Sequence, residues 1–253
     1  MNGFFYLSRN FKLQRVGDVN WLINNFGFGE TCNYIDELIC LHVKKDATAE
    51  ERKKFFLDVQ KLRKKIFVPI TLGGGIRTVE NASECFLNGA DKILLNTTIY
   101  DSSLMKNITD IYGEQSISIM IDYLRSENIK DYAIYINGGF DYKMNLMNFF
   151  EDFFESIPCG EIILNSIEDD GTGNGLDLSV VDKIPNNIKN KSLLLMGGAG
   201  KAEHIYHGLE NKNISGVVTA NLFNFLGTGL EISRKKSFDN KINLAIFDKD
   251  IKI

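Results

Sequence analysis

Three glycine-rich segments of this sequence have the composition of anion-binding loops. They are "ITLGGGIRT" (70–78), "SIEDDGTGNGLD" (166–177) and "LLMGGAGKA" (194–202), and each follows an apolar run. In the first and third, a helix-like segment comes next, so backbone N–H groups at the helix start would face a ligand. Because glycine has no side chain, phosphate oxygens can approach its backbone closely. We therefore predict phosphate binding; the alternative is that the glycines only permit tight turns and close packing of strand and helix.

The first and third loops belong to an internal repeat. "ITLGGGIRTVENASECFLNGADKILLNTT" corresponds to "LLMGGAGKAEHIYHGLENKNISGVVTANL", so that Gly73 matches Gly197 and Asn96 matches Asn221. Each copy reads as strand, glycine loop, helix, strand and Asn, and the offset is about half of the 253 residues. In a closed barrel the two glycine loops would lie on opposite sides of one mouth. The repeat therefore predicts a ligand with a phosphate at each end.

Asp122 is the candidate for acid–base chemistry. It follows four apolar positions near the end of "ISIMIDYL" (117–124), which reads as a buried strand. The ends of strands at a barrel mouth are the usual catalytic positions. We predict that Asp122 is a general acid or base, with a partner of a nearby cation as the alternative. The polar loop 169–172 would face the same mouth.

The sequence predicts neither a metal site nor a cofactor. The cysteines lie far apart without a CxxC spacing, which argues against a metal site or disulfide framework. His204 and His207 are three residues apart on a predicted helix, but no third ligand is evident, so we interpret them as surface histidines. His42 ends the second strand, where it either acts at the mouth or is packed or solvent-facing.

Short apolar runs at fairly even spacing predict the strands that must position these residues. Most are apolar on consecutive residues, which is typical of strands covered on both faces, as in parallel sheets. The runs are 4–8, 38–43, 68–74, 92–97, 117–124, 161–167, 192–198 and 216–223. About eight strands alternating with helices favour a (β/α)8 TIM barrel with a half-barrel internal repeat over a doubly wound open sheet.

Two helices and one insertion are readable in detail. Thr48 and Glu51 form a capping-box pattern at the start of a helix over 48–65, and a second helix over 79–89 ends in Asn-Gly. The segment "RSENIKDYAIYINGGFDYK" (125–143) interrupts the alternation and reads as a small inserted hairpin. We predict one barrel domain over residues 1–253 with this hairpin insertion at about 125–143.

The bulk composition argues against two classes of partner, nucleic acids and membranes. The net charge of −4 gives no reason to expect nucleic acid as the main partner. The apolar run near the N-terminus is too short for a signal peptide, and no run approaches a membrane span. We therefore predict a cytoplasmic protein with no nucleic-acid or membrane partner.

Several separated motifs resemble one known family. "PITLGGGIRTVENASECFLNGADKILLNT", "GEIILNSIEDDGTGNGLDL" and "GGAGKAEHIYHGL" are similar, in the same order, to the cyclase subunit of imidazole glycerol phosphate synthase from histidine biosynthesis. The resemblance runs from about Asp36 to Phe225. It implies a (β/α)8 barrel with half-barrel repeats, in agreement with the pattern of strands and helices.

The resemblance also implies a two-phosphate substrate at the top of the barrel. One phosphate would meet Gly75, Asn96 and Thr97. The other would meet Gly171, Gly198, Ala220 and Asn221, and Asp170 joins the phosphate-binding set.

Ammonia, by the same resemblance, would arrive from a separate glutaminase subunit docked at the bottom of the barrel and pass a gate of charged residues. Glu37, Lys92 and Glu161 match that gate, whereas Gly3 stands where the family has an arginine. Asp91 matches a residue implicated in docking the glutaminase.

The departures from the family pattern lie at the substrate face. The family uses two aspartates as acid and base; Asp122 matches one, but Ser8 stands at the position of the other. A hydroxyl cannot replace a carboxylate as a proton carrier without an activating base. At two other strand ends, His42 replaces an acidic residue and Asn165 replaces a threonine.

Three hypotheses follow. The chain is a cyclase-lyase, or a paralog that channels ammonia within a glutamine amidotransferase complex that makes amidino sugars for surface polysaccharides or flagellar glycans. The third is a catalytically inert module that binds a phosphorylated ligand and regulates a partner.

Overall fold

The computed structural model describes residues 1–25, 32–126, 131–185, 188, 191–221 and 227–245. The strands are β1 Phe5–Arg9, β2 Lys12–Gly17, β3 Leu38–Leu41, β4 Ile70–Gly73, β5 Lys92–Leu95, β6 Ile117–Ser126, β7 Asp131–Ile136, β8 Asp141–Asn145, β9 Glu161–Ser166, β10 Ser192–Met196 and β11 Gly216–Val218. The α-helices are α1 Val19–Asn25, α2 Ala49–Arg63, α3 Val79–Leu87, α4 Ser102–Tyr112, α5 Leu146–Asn148, α6 Ala202–Glu210 and α7 Gly229–Asp239. A π-helical turn, Phe149–Phe153, continues α5, and a 3-10 helix, Leu178–Lys183, follows β9.

Seven parallel strands form one sheet in the order β11-β10-β9-β6-β5-β4-β3. A helical segment follows each of them, which is the alternation that the sequence predicts. The sheet is curled: the Lys92 side chain on β5 bonds to Glu37, which precedes β3, and to Glu161 on β9, each two strands away. The parallel half-barrel is therefore present. In a doubly wound open sheet, side chains two strands apart would not meet on one concave face in this way.

The first predicted strand forms but does not join this sheet. β1 pairs antiparallel with β2 in a separate two-stranded sheet, because the chain reverses at Asn10 and Phe11, both with positive φ. Within the described residues, no pairing joins β11 to β3. The structure thus establishes the half-barrel, and closure into a full (β/α)8 barrel stays a prediction.

The helices begin where their capping residues indicate. The capping box of Thr48 and Glu51 is confirmed at the start of α2, and the Thr78 side chain caps α3. The chain leaves α3 through Asn88 and Gly89, the latter at φ +98°. The main core lies between the convex face of the sheet and these helices and includes fully buried Leu72, Ile93 and Ile119.

β6 continues beyond the sheet into an antiparallel hairpin extension. β7 pairs with the far half of β6, and β8 pairs with β7, so the two strands stand at the mouth between β6 and α5. The single-domain organisation over residues 1–253 stays a prediction. None of the described helices is long and apolar enough to cross a membrane, and the cytoplasmic location likewise stays a prediction.

Alternate residues of the parallel strands face the concave side and form three layers. The lower layer, at the amino ends of the strands, consists of Glu37, Thr71, Lys92, Ser118 and Glu161. The middle layer consists of Leu94, Met120 and Ile163, with Ile39, Leu194 and Val218 packed against them. The upper layer, at the carboxyl ends that we call the mouth, contains Asn96, Asp122 and Asn165.

Candidate active site at the mouth of the half-barrel

Asp122 lies in the upper layer between two carboxamides. Asn165 Nδ2 donates to its Oδ1 at 2.8 Å, and Asn96 Nδ2 donates to its Oδ2 at 3.1 Å. Burial raises the pKa of Asp122 to about 7, although both amide hydrogen bonds act in the opposite direction, and the nearby charge of Asp170 adds to the rise. A carboxyl group that titrates near neutral pH can either give or take a proton, which suits a general acid or base.

Ser8, at the position of the missing aspartate, bonds to a carboxylate that comes from elsewhere in the chain. Its Oγ donates to Asp170 Oδ2 at 2.5 Å, and the backbone N–H of Phe11 donates to the same oxygen at 3.1 Å. The Asn10 N–H also donates to the Asp170 carbonyl oxygen at 2.9 Å. The tip of the β1–β2 hairpin is thus fastened to the loop after β9, and a second carboxylate stands at the mouth beside Ser8.

The predicted first phosphate loop has an open backbone at Gly75. A Cβ added there would meet nothing within 4 Å, and φ is +69°. Its neighbour Gly74 differs, because a Cβ there would lie 2.1 Å from the His42 carbonyl oxygen. Packing therefore explains Gly74, whereas it does not explain Gly75.

Asn96 and Thr97 lie beside this loop at the end of β5. The Thr97 Oγ1 donates to Asn96 Oδ1 at 3.2 Å and accepts from the Asn137 N–H at 3.1 Å. Asn96 therefore belongs to the predicted phosphate-binding set and also donates, through its side-chain amide, to Asp122.

The second and third glycine loops pack on each other backbone to backbone. The Gly175 N–H donates to the Gly198 carbonyl oxygen at 2.8 Å, and a Cβ on Gly198 would lie 1.9 Å from the Gly175 carbonyl oxygen. Likewise, a Cβ on Gly171 would lie 2.3 Å from the Ser8 carbonyl oxygen. Close packing alone thus accounts for glycine at 171 and 198, so their glycines do not by themselves argue for a ligand.

Asn221, the last of the predicted phosphate residues, does reach these loops. A Cβ added to Gly173 would lie 3.0 Å from Asn221 Nδ2. Ala220 immediately precedes Asn221, beyond the end of β11. Asp170, Gly171, Gly198 and Asn221 therefore gather on the side of the mouth formed by β9, β10 and β11.

The predicted gate residues meet in the lower layer. Lys92 Nζ lies 2.7 Å from Glu37 Oε2 and 3.4 Å from Glu161 Oε1. Burial opposes its charge, but the two carboxylates outweigh that effect and raise the pKa of Lys92. Thr71 Oγ1 also donates to Glu37, and Ser118 Oγ donates to Glu161 Oε2 at 2.6 Å, so the three charges are held in one network.

Two further residues that the sequence singles out lie outside this network. Gly3, at the position of the family's arginine, lies against the Lys54 side chain of α2. His42 is buried, with its ring edge-on to Phe55 at 5.2 Å, and burial lowers its pKa. Of the alternatives for His42, the packed histidine is therefore the one found.

His204 also serves the local structure. Its Nδ1 accepts the Gly200 N–H at 3.2 Å, and burial, followed by the charge of Lys201, lowers its pKa. Among the described residues, no group of three or more His, Cys, Asp or Glu side chains could hold a metal ion.

Comparison with known proteins adds to this geometry. Residues 33–228 match the sequence profile of the family described as "Histidine biosynthesis protein". A relative from Parasynechococcus marenigrum, provisionally named imidazole glycerol phosphate synthase subunit hisF2, is 40% identical over 93% of this chain and 86% of its own. Imidazole glycerol phosphate synthase subunits HisF from Chlorobium phaeobacteroides and Leptospira biflexa are each 32% identical, over 75% and 76% of this chain and 74% and 75% of their own.

Proposed function

This chain belongs to the histidine biosynthesis protein family, and on that basis we propose that it is a cyclase-type subunit of a glutamine amidotransferase complex. It binds a ligand with two phosphates at the mouth and uses ammonia that a glutaminase subunit releases at the lower end. The observation that carries the proposal is the order of layers on one concave face: charged at the bottom, apolar in the middle and acidic at the mouth.

The lower layer is the proposed ammonia gate. Lys92 is paired with Glu37 and Glu161 where the strands begin, so a molecule that enters from below meets this cluster first. Above it, the apolar middle layer disfavours ions far more than a small neutral molecule. Ammonia suits this path because it is neutral, whereas ammonium would have to lose its hydration.

An apolar surface at the lower end supports a docked glutaminase. Phe67 is fully exposed in the loop between α2 and β4, and Leu87 and Ile111 are exposed at the carboxyl ends of α3 and α4. These helix ends lie at the amino ends of the parallel strands, beside the gate. Large apolar side chains exposed at one end of a protein are available to a partner's surface.

At the mouth, the proposed ligand spans the two halves of the repeat. One phosphate binds at the open backbone of Gly75, with Asn96 and Thr97 beside it. The other binds near Gly171, Gly198, Ala220 and Asn221. The Asp170 carboxylate is an acceptor and would repel a phosphate, so we assign it to the acid–base pair with Asp122 rather than to phosphate binding.

Ser8 favours a second candidate, the paralog that delivers ammonia to a different acceptor. The hydroxyl of Ser8 donates to Asp170 and offers no proton-accepting group of its own at neutral pH. The similarity to the relative named hisF2 agrees with this alternative. An acceptor such as an amidino-sugar precursor would then replace the family's substrate.

Coupled assays with a glutaminase test the ammonia route. We expect a glutaminase from the same organism to co-purify with the protein. Lys92→Ala should leave glutamine hydrolysis intact but lower the yield of product from glutamine, while product from added ammonium salt persists. Lys106→Ala, which removes an exposed ion pair with Asp110 on α4, is the matched control. Absence of any bound glutaminase would overturn the proposal.

The substrate is tested separately, with ammonium salt and the bisphosphate substrate of imidazole glycerol phosphate synthase. The paralog candidate predicts slow turnover, because Ser8 replaces a carboxylate of the family. A rate equal to that of HisF relatives assayed in parallel would overturn the paralog candidate and leave the cyclase.

A further inference from the structure

Asn165 has a buried side-chain oxygen, an acceptor to which no described residue donates. Its side chain is 3% exposed, and its Nδ2 is committed to Asp122 Oδ1 at 2.8 Å. Within the described part of the chain, Asn165 Oδ1 is buried and accepts no hydrogen bond. Because an unpaired buried acceptor destabilises a fold, such an atom at a mouth is open to an N–H or O–H donor of a small bound molecule.

The position of Asn165 limits what that donor is. On β9, Asn165 lies directly above Ile163, and on β6 Asp122 lies directly above Met120. Asn165 Oδ1 is therefore a polar side-chain atom directly above the apolar middle layer on the concave face of β9. A ligand that reaches it from below must be small and neutral and must carry an N–H or O–H group.

We propose that Asn165 Oδ1 and Asp122 form a receiving site for ammonia at the upper boundary of the middle layer. The inference rests on the proposed function, which it deepens by assigning the site where ammonia stops before it reacts. Ammonia donates one N–H to Asn165 Oδ1 and keeps its lone pair for the acceptor bound at the mouth. The amide orientation is fixed because the Asn165 Nδ2 group faces the Asp122 carboxylate, an acceptor.

Kinetics with ammonium salt test the site against a matched control. Asn165→Leu removes one donor to Asp122 and the buried acceptor, whereas Asn96→Leu removes the other donor to Asp122 but no unpaired acceptor. We expect KM for ammonia to rise about tenfold in Asn165→Leu, as for one lost hydrogen bond, with KM for the bisphosphate unchanged. Asn96→Leu should lower kcat without raising KM for ammonia. Equal rises of KM for ammonia in both variants would overturn the proposal.

A binding measurement on the unmutated protein separates this inference from the proposed function. The side-chain amide signal of Asn165 is followed by NMR at alkaline pH during additions of ammonium chloride or sodium chloride. We expect a saturable shift with ammonium chloride alone. If this shift is seen but the protein does not turn over the bisphosphate, the ammonia site is supported and the proposed cyclase chemistry is contradicted. If the protein turns over the bisphosphate but both salts shift the Asn165 signal equally, the ammonia site is contradicted and the proposed function stands.

Discussion

At the scale of single residues, Asp122 is held where its charge is disfavoured. Burial raises its pKa from 3.8 to about 7, even though Asn96 and Asn165 both donate to it. A carboxyl group whose pKa is raised in the fold binds its proton more tightly than in the unfolded chain. Its contribution to stability is therefore fully present below the unfolded pKa and is lost as the pH rises through the folded pKa.

The raised pKa of Asp122 predicts how the stability of the protein depends on pH. Between about pH 4 and pH 7, the free energy of unfolding of the wild-type protein should fall relative to Asp122→Asn, by up to roughly 4 kcal/mol. Urea unfolding of both proteins at a series of pH values measures the difference. If the difference between them does not vary with pH over this window, Asp122 titrates normally and its proposed acid–base role loses its basis.

Ser8 supports a prediction about the chemistry. If turnover is slow because the first-strand carboxylate is missing, Ser8→Asp should raise the ammonia-dependent rate by about a hundredfold, the lower range for a positioned acid or base. Ser8→Ala should give no gain, since it only removes the hydrogen bond to Asp170. Steady-state assays with the bisphosphate substrate measure both. A Ser8→Asp protein as slow as the wild type would mean that other differences at the mouth limit the rate.

Sequence reasoning found some of these residues and missed others for physical reasons. Asp122 follows apolar neighbours that predict its location, and it lies near the end of the parallel pairing of β6 with β9. The lower cluster is implied by the family resemblance alone, and in the structure Lys92 bonds to Glu37 and Glu161. The bond from Ser8 to Asp170 spans 162 residues of sequence, so no local pattern could indicate it. The unpaired oxygen of Asn165 depends on which way one amide faces, and residue type carries no such information.

At the scale of elements, the glycine loops combine two physical roles that the sequence cannot separate. Gly74 and Gly198 are glycines because a backbone carbonyl lies where a Cβ would be. Gly75 faces open space with a left-handed backbone. The sequence "GGG" therefore contains adjacent residues of which one serves packing and the other is available to a ligand.

Alanine at each of these neighbours should separate the roles. Gly74→Ala forces a Cβ against the His42 carbonyl and should destabilise the protein by roughly 2–4 kcal/mol. Gly75→Ala should cost about 1 kcal/mol for the left-handed backbone alone, yet weaken binding of the bisphosphate about tenfold. Thermal unfolding and calorimetric titration measure the two effects. Unchanged affinity in Gly75→Ala would remove this loop from the proposed phosphate site.

The elements themselves were predictable where local signals decide them. Seven of the eight apolar runs form the parallel strands, and the capping residues fix the starts of α2 and α3. β1 also forms, but its pairing partner is decided by the tight turn at Asn10 and Phe11 rather than by its own composition. Apolar runs identify strands, whereas the choice of neighbour depends on contacts across the whole chain.

At the scale of the whole molecule, the two ends of the half-barrel are different surfaces. The lower end carries exposed Phe67, Leu87 and Ile111 and the proposed gate, and the mouth carries the glycine loops and the β7–β8 hairpin. Since the strands are parallel, their amino ends all lie at the lower end and their carboxyl ends all lie at the mouth. This separation makes the two functions independently testable.

Substitution of two exposed phenylalanines, one at each end of the half-barrel, tests at which end the glutaminase binds. Phe67 lies at the lower end, and Phe140 lies in the β7–β8 turn at the mouth; they are 102% and 87% exposed. Phe67→Asp should weaken glutaminase binding at least tenfold, because a charge buried in an apolar interface must be desolvated. Phe140→Asp introduces the same charge at the opposite end and should leave glutaminase binding unchanged. Calorimetric titration of each variant with the glutaminase measures the affinities, and circular dichroism checks the folds. If Phe140→Asp weakens the complex and Phe67→Asp does not, the glutaminase binds at the mouth and the direction proposed for ammonia is reversed.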